Sequence, residues 1–294
     1  MKNIFINILL TILFLLGLGI LLYPTVSDIV NTEFNEKRIA SYEKAVEDMS
    51  LADYSSYFEK AREYNEKIKR HIKINENEYE NQLNVDNSGI MGYIEIPKID
   101  VKLPIFHGVD SSVLQIGIGH LKETTLPIGG KGTHSALSGH RGLPSAKLFT
   151  ELDELEIGDT FNIYILDKSL SYQIDNIIVV EPNDASSLGI IPDKDYVTLI
   201  TCTPYGINTQ RLLVRGTRVE YKKNDKKLVY NSEADIIDPN KVALILGVII
   251  WVILFIICLV INNKNKKLNI KGGNYDEGWN VYKNNFCYNF RYFN

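Results

Sequence analysis

Two apolar runs stand out along the chain. Ile4 to Tyr23 is broken only by Asn7, Thr11 and small glycines, and Val242 to Ile261 runs for twenty residues without a charge. About 20 apolar residues at a 1.5 Å rise cross a bilayer core about 30 Å thick. Both runs are expected to be transmembrane helices, at 4–23 and 242–261. The first is long for the apolar stretch of a signal peptide, and no A-x-A-like cleavage site follows it. It reads as an uncleaved signal anchor, with a cleaved signal peptide as the alternative. Lys2 precedes the first run, and Lys264, Lys266, Lys267 and Lys271 follow the second. Cationic flanks stay cytoplasmic. Residues 1–3 and the tail 262–294 are therefore expected inside, and the stretch from about 24 to 240 on the extracellular face.

Between the runs the pattern changes once. Within 24–88, Ile39, Tyr42, Val46 and Met49 are spaced 3, 4 and 3, and Tyr54, Tyr57, Ala61, Tyr64 and Ile68 are spaced 3, 4, 3 and 4. This is the period of amphipathic helices. Ser50 with Asp53 matches a capping box and is expected to restart the helix. These helices are expected to pack on the main domain or to space it from the membrane, with partner binding as the alternative. Asp86-Asn87-Ser88-Gly89 is a turn cluster.

Beyond it lie short β-like runs. Tyr93 to Ile96 alternates, and Val101 to Phe106 carries Pro104, which suits an edge or a bulge. Ser135 to Gly139 leads into His140. Phe161–Leu166 and Leu170–Val180 read as a hairpin around Asp167-Lys168. Tyr196–Thr201 ends at Cys202, and Leu212–Tyr221 follows. Short helices are expected at Ser111–Ile118 and Ala146–Leu155. Several short strands at moderate spacing predict a mainly β domain at 89–222, a closed barrel or a sandwich, followed by a linker at 223–241.

Composition narrows the function. The formal net charge is −4 and the pI about 5.8, which is not the basic footprint of a nucleic-acid binder. No histidine, cysteine or carboxylate group has metal-ligand spacing, so neither metal nor cofactor is expected. Of the three cysteines, Cys258 lies in the second apolar run and Cys287 in the tail. Cys202 alone belongs to the outer segment, where a lone cysteine points to a reactive thiol or an intermolecular bridge.

Cys202 follows a β-run and precedes Thr203-Pro204-Tyr205-Gly206. A strand that stops at such a turn exposes its last side chain at the sheet rim. The thiolate is the nucleophile, and with a free pKa of about 8.5 it needs a neighbouring base or cation. The outer histidines are His71, His107, His120, His134 and His140. His140 stands out because Gly139 and Gly142 flank it, but His107 before Gly108 is almost as plausible by position, and His134 is the next competitor. Attack on an amide builds an oxyanion that needs preorganised donors. Arg211 lies nine residues after Cys202, and a turn over Pro204–Asn208 would set it beside the thiol. Arg215, four residues on, is its rival.

At this point the chain resembles the sortases, in particular the class C, pilin-polymerising branch. Thr198-Leu199-Ile200-Thr201-Cys202 fits the family's TLxTC motif. The continuation from Thr203 to Gly216, the segments Gly119-His120-Leu121 and Leu126–Gly130, Ser138-Gly139-His140-Arg141-Gly142-Leu143-Pro144, and Leu148–Asp153 are similar too. The likeness runs from about Tyr93 to Tyr221. It implies an eight-stranded β-barrel and a site of Cys202 as nucleophile, His140 as general acid and base, and Arg211 as oxyanion stabiliser, with Thr201 touching the substrate. It implies cleavage of an LPxTG-like sorting signal between Thr and Gly, and transfer through a thioacyl enzyme to an amine, a pilin lysine in class C relatives. The implied partners are sorting-signal-bearing surface proteins, such as pilins.

Two departures stand against the resemblance. Class C relatives usually carry a lid with an Asp-Pro-aromatic segment, yet no proline occurs between Tyr54 and Met91, so the lid is expected to be absent or of another kind. Gln210 stands where a histidine is frequent, and altered packing beside Arg211 is expected. Housekeeping cell-wall anchoring and a hydrolytic sortase keep the same residues. A cysteine protease of the caspase kind lacks its Gln-Ala-Cys signature here. A non-enzymatic assembly scaffold would leave function intact in Cys202→Ala.

Overall fold

The computed structural model describes residues 2–221, 247–257 and 260. The chain divides into two units, Tyr23–Lys226 and the terminal segments Met1–Leu22 with Lys227–Asn294. Helix α1 (Lys2–Glu47) is apolar and exposed in its first half, where Phe5, Leu9, Leu13, Leu16 and Ile20 all face outward. From Ile8 it is long and apolar enough to cross a membrane. Within the terminal unit, Gly247–Ile257 is a shorter apolar helix, and Phe14 stacks on Trp251 and Phe255 at 5.0 and 4.1 Å between ring centroids. Apart from Gly247–Ile257 and Val260, the expected second span, the linker and the tail lie outside the described residues.

The helical stretch follows its period. Ser50 caps α2 (Leu51–Lys69) with the reciprocal Asp53 bonds of a capping box. Ile39, Tyr42, Val46, Ala61 and Tyr64 are buried, so the apolar stripes face the barrel. Their polar ends are satisfied there: the Tyr42 hydroxyl donates to Met91 O at 3.2 Å and accepts from Leu166 N at 2.8 Å, and Tyr64 donates to Lys122 O at 2.7 Å. Helix α3 (Glu76–Glu80) contributes the buried Tyr79, and α4 (Ser111–Leu114) is one turn. It is shorter than the expected Ser111–Ile118 because Ile118 already enters a strand.

The eight strands are β1 (Ile90–Ile96), β2 (Val101–His107), β3 (Ile118–His120), β4 (Thr133–Ser138), β5 (Thr160–Ile165), β6 (Lys168–Val180), β7 (Asp195–Thr203) and β8 (Gln210–Val219). They close into a barrel in the order β1-β2-β3-β4-β7-β8-β6-β5. Inward positions alternate with outward ones, and Ile94, Ile96, Leu137, Phe161, Ile163, Leu199 and Val214 are fully enclosed. Each such large side chain contributes about 1.5–3 kcal/mol on leaving water. Pro104 is tolerated because β3 joins β2 only from Ile105 onward, which leaves one paired neighbour at that residue.

One expected helix is absent. Residues 146–155 form turns with a single 3-10 turn at Leu152–Glu154. The local amides have other partners: Lys147 N donates to Asp28 Oδ1 at 2.7 Å and Phe149 N to His140 O at 3.1 Å. Leu148 is left-handed with φ 42°, which an α-helix does not accommodate. Tertiary bonds override the helical pattern here.

Candidate active site

Two seams bring the site together, and both involve β7. On one side β7 pairs with β8 in antiparallel register, with Cys202 opposite Arg211 and Ile200 opposite Leu213. Opposed residues in a ladder project to the same face. The strand runs one residue beyond Cys202, to Thr203, rather than stopping at the cysteine. The connecting turn is held by Ile207 N and Asn208 N, which both donate to Pro204 O at 3.1 and 2.9 Å. The thiol of Cys202 is free and half-buried. Arg211 Nη1 donates to Asn208 O at 3.3 Å and Gln210 O at 3.0 Å. Its Nε and Nη2 make no bond to a described residue.

On the other side β7 pairs with β4 in parallel, ending with Ser138 opposite Ile200. Two residues beyond this last pair stand His140, past the end of β4, and Cys202, still on β7, so both follow the seam at the same end. Gly139 N donates to Ile200 O at 3.0 Å, and Thr201 Oγ1 donates to Gly139 O at 2.8 Å. Thr201, expected to touch substrate, is 1% exposed, and its hydroxyl holds the backbone just before His140. A Cβ on Gly139 would come within 2.7 Å of the Phe149 ring, so only glycine allows this approach.

The five histidines separate by what their rings do. His107 is bonded at both ring nitrogens, to Gly89 O and Gln82 O at 2.9 and 2.6 Å. His120 lies fully buried between Tyr79 and Thr125 O. His134 is bonded to Gly189 O and Thr198 Oγ1 at 3.0 and 2.7 Å. Burial lowers the pKa of all three, His120 to about 4, so at neutral pH they are uncharged parts of the core. His71 is exposed at the end of α2. The half-buried ring of His140 has no hydrogen bond to a described residue, which leaves both nitrogens available for proton transfer.

The two arginines separate in the same way. Arg215 lies opposite Thr198, makes two bonds to Asp175 at 2.8 and 3.2 Å, and lies over the Tyr196 ring at 4.4 Å. It is held by the barrel wall. Arg211 is the one set beside the thiol. Gln210 Nε2 donates to Glu181 Oε1 at 3.2 Å, tying the start of β8 to the β6–β7 connection.

A groove of about 220 Å³ leads to this end of β7. Ser138, Ile200, Arg211 and Leu213 line it together with Pro182 and Leu188 of the β6–β7 connection. Ala136, Ile200 and Leu213 form an apolar cluster outside the barrel, with Leu188 packed against it. The groove borders the site on its Arg211 side: Cys202 and His140 do not line it, and Asn183 and Asp184 add polar groups to its otherwise largely apolar wall. Pro182 and Leu188 were not legible as site residues, because nothing in their local pattern relates them to β7.

The family model for the sortase domain matches residues 94–219. The crystal structure of sortase C1 from Streptococcus agalactiae is 48% identical, covers 63% of this chain and 100% of its own, and superposes with a TM-score of 0.61. The chain belongs to the sortase family. A Streptococcus pneumoniae sortase C, whose structure is described as giving insight into catalysis and pilin substrate specificity, is 41% identical over 63% of this chain and 97% of its own, with a TM-score of 0.58. Sortase D of Bacillus subtilis is 33% identical over 131 residues, 44% of this chain. The match spans 63% of that relative's length and 41% and 53% of the next two curated relatives. The sortase family is one of cysteine transpeptidases, and the structural neighbours of this chain are class C members.

Proposed function

We propose that this chain is a membrane-anchored cysteine transpeptidase that cleaves an LPxTG-like sorting signal between Thr and Gly and passes the acyl product to an amine, a pilin lysine. The observation that supports the reading is the arrangement about β7: Cys202 opposite Arg211 across one seam, and His140 following the last pair of the other seam at the same end as Cys202. The thiol of Cys202 gives its proton to His140, and the sulfur adds to the threonine carbonyl carbon. Arg211 keeps its charge at any relevant pH and turns its two uncommitted nitrogens to the developing oxyanion. The carbon–nitrogen bond breaks, His140 gives a proton to the leaving glycine amine, and a thioester remains. The incoming lysine amine then attacks the thioester, His140 takes its proton, and the sulfur departs. One amide is broken and one is made, so the exchange needs no outside oxidant or energy source.

The apolar first half of α1 and the apolar helix Gly247–Ile257, with the lysines beyond them, support a two-pass anchor that leaves the barrel on the extracellular face. Class C neighbours and the pilin specificity described for one of them support pilin over other cargo.

The test uses the full chain in detergent with an LPxTG-type peptide, followed by intact mass. An adduct of the peptide acyl group, lost in Cys202→Ala and resolved to an amide by an added lysine-bearing acceptor, is the expected result. Release of free acid alone, with acceptor present, points to hydrolysis. Absence of any adduct from several sorting motifs while the thiol still reacts with iodoacetamide rejects the substrate class.

A further inference from the structure

His140 and Cys202 sit on segments 62 residues apart in sequence, and the residues on both sides of each are bonded across the gap. On the near side, Thr201 Oγ1 donates to Gly139 O at 2.8 Å. On the far side, Arg141 Nη1 donates to Thr203 Oγ1 at 3.2 Å. The residue before the histidine thus holds the residue before the cysteine, and the residue after holds the residue after. Resting on the transpeptidase reading above, we propose that Arg141, through Thr203 and Asp153, is a positioning residue that closes the outer half of this brace and fixes the imidazole against the thiol for acylation.

The surroundings of Arg141 fit that role. Its side chain is 9% exposed, and Nη2 pairs with Asp153. The guanidinium lies 5.8 Å from the Tyr205 ring centroid, beyond the cysteine on the β7–β8 turn. Gly142, with φ 74°, lets the loop lie against the same ring, since a Cβ there would come within 2.9 Å of Tyr205 Cε2. Arg141 Nε is buried with no hydrogen-bond partner among the described residues. A buried donor left unpaired costs stability, and such costs persist where the geometry has another use. Asp153 balances the charge, so the brace contributes orientation, while the uncommitted donors opposite Cys202 are Nε and Nη2 of Arg211. A planar fork can hold Asp153 and Thr203 together, and a lysine ammonium cannot reproduce that span.

The test is single-turnover acylation by the full chain with an LPxTG-type peptide, comparing Thr203→Val with Thr203→Ser and Arg141→Lys. Thr203→Val keeps the shape and removes the acceptor. Its acylation rate at saturating peptide should fall about 10–100-fold, the scale of a displaced catalytic group, with KM within about twofold. Thr203→Ser keeps the hydroxyl and should recover most of the rate. Arg141→Lys should resemble Thr203→Val. Melting midpoints measured alongside separate misfolding from misplacement. Equal losses in the valine and serine variants, a wild-type rate in both Thr203→Val and Arg141→Lys, or a change confined to KM would each overturn the brace. Failure of the wild-type chain to acylate at all rejects the transpeptidase reading instead, so the two failures are distinguishable.

Discussion

The two seams flanking Cys202 differ in how the chain makes them. The β7–β8 seam is a hairpin: a short turn over Pro204–Asn208 sets its register, and Arg211 arrives opposite Cys202 by local geometry. The β4–β7 seam is parallel, which no short turn can make. Between its strands the chain travels through β5, β6 and the connection that walls the groove. The hairpin thus has its alignment from its own turn. The parallel seam needs tertiary devices, and they crowd its open end: the Thr201 hydroxyl on Gly139, the Arg141 fork on Thr203, and Asn31 and Asp28 of α1 bonded to Ser145 O and Lys147 N. A site assembled across both seams inherits a rigid side and a side that must be held.

Substitutions on either side test this difference. The largest effect is expected on the hairpin side. Arg211→Ala should lower kcat/KM for acylation about 10²–10³-fold, the loss typical of one oxyanion donor, with a near-native melting midpoint. Arg215→Ala, two pleat repeats along β8, should do the reverse: it loses the Asp175 pair and the Tyr196 contact and melts earlier, while the folded fraction acylates normally. Comparable activity losses in both would show that the hairpin acts as a block and not through Arg211.

On the parallel side, Thr201→Val leaves Gly139 O without its donor in a buried place. A stability loss of about 1–3 kcal/mol is expected, together with slower acylation at unchanged KM. Denaturant unfolding paired with single-turnover kinetics reads both. A loss of stability alone would mean that this bond serves the barrel and not the histidine.

Acid should weaken the same region. Unfolded histidine takes a proton near pH 6.5, whereas His120 does so only at about 4 and His134 below its ordinary value. The unfolded state therefore binds more protons in this window, so stability is present above about pH 6.5 and is lost as pH falls toward 4, by up to about 1.4 kcal/mol per pH unit for each such histidine. Melting midpoints that stay level between pH 6.5 and 4.5 would contradict this. The smallest effect is expected for Asn31→Ala, which removes one tether of the loop after His140. It should cost about 0.5–1.5 kcal/mol and raise hydrogen exchange at 143–147 without affecting that of β7.

Much of this was legible from local pattern, and the failures have a common cause. The helical period at Ile39–Ile68, the Ser50–Asp53 cap and the β5–β6 hairpin depend on neighbours within a few residues; the first two appear as read, and the hairpin turns one residue earlier than expected, at Leu166-Asp167, because Lys168 already pairs with Ile165. Ala146–Leu155 has helical composition, yet its amides bond to Asp28 and His140, and Leu148 is turned left-handed. Residue types alone do not carry that information, because the competing partners lie elsewhere in the chain.

The same division applies to the chemistry. By itself the sequence determined that one cysteine lies between the two apolar runs, that it sits where a β-run meets a Pro-Gly turn, and that an arginine follows nine residues later at hairpin distance. It also carried the motifs that resemble sortases. By position it set His140 only slightly ahead of His107 and His134, and the resemblance to sortases pointed to His140. The tertiary structure separates them by consumption: barrel closure binds His107, His120 and His134 into backbone and hydroxyl contacts, and the His140 ring has no hydrogen bond to a described residue. Arginine followed the same rule, with Arg215 engaged by Asp175 and Arg211 set beside the thiol. Whether a polar side chain is structural or available depends on the groups that close around it, and that is settled only when distant strands meet.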